Sequence, residues 1–249
     1  MGPKAKLYFD CVVGIGALVF IDAISAFDSQ NLPRFLTYLA LAILSALCKL
    51  RVPGIHATLS PAFVFVLLAI ANSSLGEVVT IGCSATLVQS LWLTRSRPRP
   101  SETVFSVAAV AIAVLIAYSP AHTVLVGQLG WSTGILALAA AVFIAVNTGL
   151  VGGIVALVSD RPFIEVWRKL TGELIGSYFV WAILGVLMAV CDRLWGWKSG
   201  LLPLPLVVSS AFFFRSRFAR RAETGNPIGR RRTMSMRDAR GGGPTRSSL

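Results

Sequence analysis

The chain has 249 residues, 55% of them hydrophobic and only 14% charged, with a formal net charge of +12. A soluble chain of this length needs more polar surface to cover one core, so the composition excludes an ordinary soluble domain. The excess of Lys and Arg is not spread over a folded face, because ten of the 23 lie between Arg215 and Arg246, which argues against nucleic acid as a partner.

About 20 helical residues cross the ~30 Å hydrocarbon core of a bilayer. Apolar segments of that kind recur from Leu7 to Phe214 and predict an all-α fold, a polytopic integral membrane helical bundle of about eight transmembrane helices. Met1–Lys6 is basic and lacks a small-residue cleavage site, so the first helix, near 7–27, is expected to stay attached. A second follows near 35–50. The third crossing, 57–73, is expected to become helical late, with Ser60 as N-cap and Pro61 at the first helical position. Pro61–Asn72 gives only about 18 Å of helix. Gly54–Leu59 is then irregular, which lipid tolerates only against protein or a wet cavity. The fourth helix, 75–93, opens on a Ser74–Glu77 capping box.

The fifth and sixth helices, 103–119 and 131–158, share a stretch in which His122 is the one possible charge. Ser119-Pro120 and Gly127–Gly130 mark the turn between them. Asn147, Gly149, Gly152 and Gly153 supply a soft point in the sixth. Asp160 and Pro162 open an interfacial helix, 162–171, whose Phe163, Ile164, Val166, Trp167 and Leu170 are expected to face lipid. Helices near 173–191 and 199–214 complete the transmembrane domain, 1–217. Residues 218–249, low in apolar content and rich in Arg, Gly and Ser, read as a disordered basic cytoplasmic tail.

Orientation follows from the cations. With the N-terminus inside, the inner connections carry ten: Lys4, Lys6, Lys49, Arg51, Arg95, Arg97, Arg99, Arg161, Arg168 and Lys169. The outer ones carry three: Arg34, Arg193 and Lys198. Both termini are therefore expected in the cytoplasm of a multi-pass inner-membrane protein. Arg95, Arg97 and Arg99, with Arg230, Arg231 and Arg232 in the tail, are the expected membrane-surface residues, resting on the lipid bilayer as partner.

Ionisable and amide groups inside lipid are the candidates for a site. Asp22 lies on a first-helix stripe with Gly14, Leu18 and Ser25, and reads either as a ligand contact or as an interface carboxylate. Asn147 and Gln89 read as ligand contacts or as interhelical hydrogen bonds. Tyr178 and Trp181 read as pocket lining or as core. Glu77 is most simply a cap. The spacings Gly130…Gly134, Gly149…Gly153 and Gly172…Gly176 suit close helix packing. Cys11, Cys48, Cys83 and Cys191 all lie within or beside apolar segments and imply no disulfide framework. His56 and His122 stand alone, so no metal site is expected. No nucleotide loop or nucleophile–histidine arrangement is legible, and the expectation is a protein that is not an enzyme and uses no cofactor.

The run Phe143–Val151, then Val166-Trp167-Arg168, Gly196-Trp197, Leu202-Pro203 and Arg215-Ser216, resembles a multi-helix bacterial membrane region. So do Leu50–Ile55 and Ile81–Gln89. That region is the N-terminal sensor or input module of HD-GYP and GGDEF signalling proteins, particularly of acidobacterial type, and the likeness covers nearly all of residues 5–217. The chain continues for 34 residues after Arg215, too few for an output domain. The resemblance thus implies a stand-alone, sensor-like module that binds a small ligand or a membrane partner, as a homodimer or beside a separate signalling protein. It carries over no ligand residues. The alternatives are a small-solute transporter, or a component of one, and a structural membrane protein.

Overall fold

The computed structural model describes residues 2–29, 31–47, 50–51, 58–92, 100–122, 133–198, 201–202 and 204–224. Among them the fold is all-α apart from one two-residue antiparallel ladder. In chain order the elements are α1 (Pro3–Ser25), α2 (Leu32–Leu47), β1 (Leu50–Arg51), β2 (Thr58–Leu59), α3 (Ala62–Asn72), α4 (Leu75–Leu91), α5 (Pro100–His122), α6 (Thr133–Ser159), α7 (Phe163–Trp195) and α8 (Leu204–Thr224). Leu50 pairs with Leu59 and Arg51 with Thr58.

Among the described residues four segments are long and apolar enough to cross a membrane: Pro3–Ser25, Pro100–Ser119, Gly134–Ser159 and Leu174–Trp195. Large apolar side chains stand exposed along their outer faces, among them Leu18, Leu138, Phe179 and Ile183. Water would not tolerate so continuous an apolar exterior, whereas hydrocarbon does.

The helices begin and end where local chemistry dictates. Pro3 sits in the first turn of α1, where its missing N–H costs nothing. The Ser74–Glu77 capping box is present at the start of α4. At the end of α6, Asp160 takes φ +52°, and the Arg161 N–H reaches back to the Ala156 carbonyl at 3.1 Å. That is a Schellman closure, with Pro162 beyond it to prevent continuation. Gly196 at φ +87° stops α7 in a conformation that a side chain would strain.

Several expected boundaries differ. The interfacial helix 162–171 is not separate but the first part of α7, which runs unbroken through Gly172. Val166, Leu170, Leu174 and Tyr178 recur every fourth residue and are all buried, so one continuous stripe packs on the bundle. Val166 and Leu170 therefore face protein; only Phe163 and Ile164 of the five residues assigned to lipid are exposed. Helix α5 passes Ser119-Pro120 and ends at His122. Residues 218–224, expected in the disordered tail, extend α8, and Arg and Ala, both good helix formers, dominate there. Residues 225–249, including Arg230, Arg231 and Arg232, lie outside the described residues, as do Arg95, Arg97, Arg99, His56 and Gly127–Gly130.

The bundle is organised around α3. Every residue from Ala62 to Ile70 is buried, with α2, α4, α6 and α7 packed around it. A helix apolar on all sides belongs in such a position. At 11 residues it is about 16 Å long, roughly half the hydrocarbon thickness. Close approach is secured by glycines: a Cβ on Gly185 would lie 3.2 Å from Leu67 of α3, and one on Gly76 only 2.5 Å from the Ala23 carbonyl of α1.

Candidate functional site

The two ends of α3 differ in kind. At its C-terminal end the backbone carbonyls that a helix leaves orphaned are taken up by side chains from neighbours. The Ile70 carbonyl accepts from His122 Nε2 at 2.8 Å, the Asn72 carbonyl from the Arg34 guanidinium, and the Ser73 carbonyl from the Tyr118 hydroxyl at 3.2 Å. Cationic and donor groups are favoured at a helix C-terminus. Beside them Tyr38, fully buried, donates to buried Asp192 at 3.4 Å, and Arg34 acts electrostatically on both. Glu77 completes this polar end as a structural group, with Oε1 accepting from the Ser29 hydroxyl at 2.7 Å and Oε2 from the Ser74 N–H at 2.9 Å.

Burial holds the His122 imidazole below its ordinary range, while donation to the Ile70 carbonyl works in the opposite direction. Because its folded pKa is the lower one, protonation favours the unfolded chain. Stability is thus expected to fall as pH drops below about 6.5 and to level off once pH has passed the folded value. In detergent, His122→Gln should melt with a flatter profile between pH 7 and pH 5 than the native chain.

The N-terminal end of α3 opens instead on a cavity of about 190 Å³. It lies beside the first turns of α3, with Ser60, Ala62, Phe63 and Val66 on its wall. Pro61, expected as the first helical residue, is instead the N-cap, and the Ser60 hydroxyl before it accepts from the Ala62 N–H at 3.1 Å. Phe63, the second residue of α3, meets Phe143 of α6 at 5.1 Å and stands edge-on to Tyr178 of α7 at 5.4 Å. Asn147 and Tyr178 share this wall, with their polar side chains interacting. Asn147 lies 12 residues before the end of α6, ~18 Å along its axis, so the cavity sits deep in the bundle. Thr86, Gln89 and Ser90 of α4 and Ser106 of α5 close the remaining sides. Thr148 accepts from Trp167 Nε1 at 3.3 Å and thereby ties α6 to α7 at the rim.

Of the five residues singled out in the sequence, Gln89, Asn147 and Tyr178 come together on this wall. Asp22 does not. It is exposed on α1, whose buried residues are Ala5, Val12, Gly16 and Ala23 rather than the stripe through Gly14, Leu18, Asp22 and Ser25. Trp181 is fully buried but lies on the α7–α8 contact, donating to Ser210 Oγ at 3.2 Å with its ring edge-on to Phe214. Phe63, Phe143 and Thr148 escaped notice because apolar and hydroxyl residues inside apolar helices carry no mark in sequence.

Chemically the wall is neutral. Its described residues offer amides, hydroxyls and aromatic rings but no carboxylate, ammonium, guanidinium or imidazole group. Such a site can bind and orient a solute, with no acid–base pair on this wall to transform it. Among the described residues no three His, Cys, Asp or Glu side chains gather to hold a metal. Protein-family profiles, curated proteins and solved structures yield no match to this chain.

Proposed function

We propose that the chain is a non-enzymatic, sensor-like membrane module that binds a small uncharged solute between α3, α4, α6 and α7. In this reading eight segments cross the inner membrane, with both termini in the cytoplasm. The observation that carries it is the grouping of Asn147, Tyr178 and Phe63 on one neutral wall, at the N-terminal end of a half-length central helix. An amide, a hydroxyl and two aromatic rings around 190 Å³ suit a solute with one or two polar groups on a compact apolar frame. Because Phe63 belongs to α3 and Tyr178 to α7, a solute seated between them bears on both helices at once. That gives binding a route to the arrangement of the bundle. The resemblance to input regions of cyclic-dinucleotide signalling proteins supports the same reading, with a second copy or a separate signalling protein as the receiver.

Thermal melting of the purified protein against small uncharged metabolites tests it. A stabilising solute is expected, and Asn147→Leu should weaken it about tenfold, the worth of one good hydrogen bond. Tyr178→Phe, which keeps the ring, should cost less. A library that leaves melting unchanged, or hits indifferent to Asn147→Leu and Phe63→Ala alike, overturns the proposal.

One observation favours a transporter instead. A half-length helix ending at a cavity deep in the bundle is the arrangement of discontinuous helices at transport sites. Uptake of the same solute into proteoliposomes, abolished by Asn147→Leu, would decide for it.

A further inference from the structure

A second cavity lies at the end of the bundle where the start of α1 meets the α6–α7 connection, distinct from the first and larger, about 500 Å³. We infer that it holds the phosphate headgroup of an anionic phospholipid. Lys4 and Arg161 both stand on its wall, exposed, and Asp160 is the one acid among the described residues lining it. Two cations against one carboxylate leave the wall net positive. The first turns of α1 and α7 both contribute to it, and their partial positive charge outweighs the partial negative charge of the one C-terminus, that of α6, that reaches the same wall. The rest is apolar: Ala156, Leu157 and Phe163, the last two exposed enough to meet a glycerol backbone and the first acyl carbons.

Position strengthens the case. Helices α1 and α6 are each long and apolar enough to span the hydrocarbon, and this cavity lies at their ends. The ends of such helices meet the phosphate layer whichever way the chain is oriented. A site with cations at that level and an apolar floor beside them matches a molecule that carries an anion next to hydrocarbon. The rigid Schellman turn at Asp160–Arg161 fixes the Arg161 backbone against α6, so the guanidinium is presented from a defined point.

The test uses the full chain purified in mild detergent and native mass spectrometry with phosphatidylglycerol, phosphatidylethanolamine and phosphatidylcholine. Phosphatidylglycerol should be retained in preference to both others. Lys4→Gln with Arg161→Gln should abolish the preference, about fivefold for each cation removed. Arg161→Lys, which keeps the charge, should preserve it, and so should Lys6→Gln, since Lys6 is off this wall. Melting curves establish that the variants are folded. Equal retention of the three lipids by the native chain overturns the inference, as does a double variant that still prefers phosphatidylglycerol. Displacement of the lipid by millimolar inorganic phosphate would assign the wall to a free anion and overturn the lipid as occupant.

Discussion

Gly16→Val is expected to loosen the protein, while Gly14→Val, two residues away on the same helix, is expected to leave it unchanged. A Cβ on Gly16 would lie 2.5 Å from the Cβ of Ala108, 2.6 Å from its Cα and 2.8 Å from its carbonyl oxygen. Two of those atoms are backbone, so no rotamer change relieves the clash and α1 must move away from α5. The small cluster of Val12, Phe105, Ala108, Ala109 and Ile112 would open with it. Overpacking of this kind costs about 1–3 kcal/mol, more where backbone must shift. Around Gly14 nothing lies within 4 Å, and the added side chain meets only lipid. Thermal melting of both variants in detergent makes the comparison. Equal melting temperatures would show that α1 is not seated on α5 as described.

The same pair of glycines shows what the sequence conceals. Composition and the placing of cations reveal a bundle of apolar helices, and the Ser74–Glu77 box announces one helix start to the residue. Which face of an all-apolar helix is buried leaves no such trace, because lipid and protein interior select the same side chains. A stripe through Gly14 and Asp22 is as plausible on paper as one through Val12 and Gly16, and only the neighbouring helix decides. The spacing Gly149…Gly153 fails likewise: Gly149 has open space beside it, whereas Gly153 lies against the Tyr8 hydroxyl. Polar residues within apolar runs are a partial exception, since their solvation cost favours protein-facing positions, although Asp22 stands exposed. Asn147 and Gln89 were legible on that ground, and both face the cavity. Asp192 was missed for a reason of boundaries. Ending the seventh helix at Cys191 puts Asp192 in a loop, whereas α7 continues to Trp195 and brings it against Tyr38.

Arg34→Met should be the most damaging single change at the opposite end of α3. The guanidinium there donates to the Asn72 carbonyl and acts electrostatically on the buried Asp192 carboxylate. Loss of a hydrogen bond from a charged group costs about 1.5–3 kcal/mol, and the carboxylate left behind adds its own penalty. Arg34→Lys should recover only part, because a point charge does not reproduce the planar fork. The coupling is separable by a double-mutant cycle. Asp192→Asn removes the charge that Arg34 balances, so it should be damaging in the native chain and nearly neutral, or restoring, in the Arg34→Met background. A cost for Asp192→Asn that is the same in both backgrounds would mean the two groups act independently. If the coupling holds, its effect should extend to the cavity. Helix α3 runs from the polar cluster at its Asn72 end to the cavity at its Ser60 end, so slackening the former lets Phe63 shift against Tyr178. Arg34→Met would then weaken solute binding from across the length of α3, touching no residue of the cavity wall.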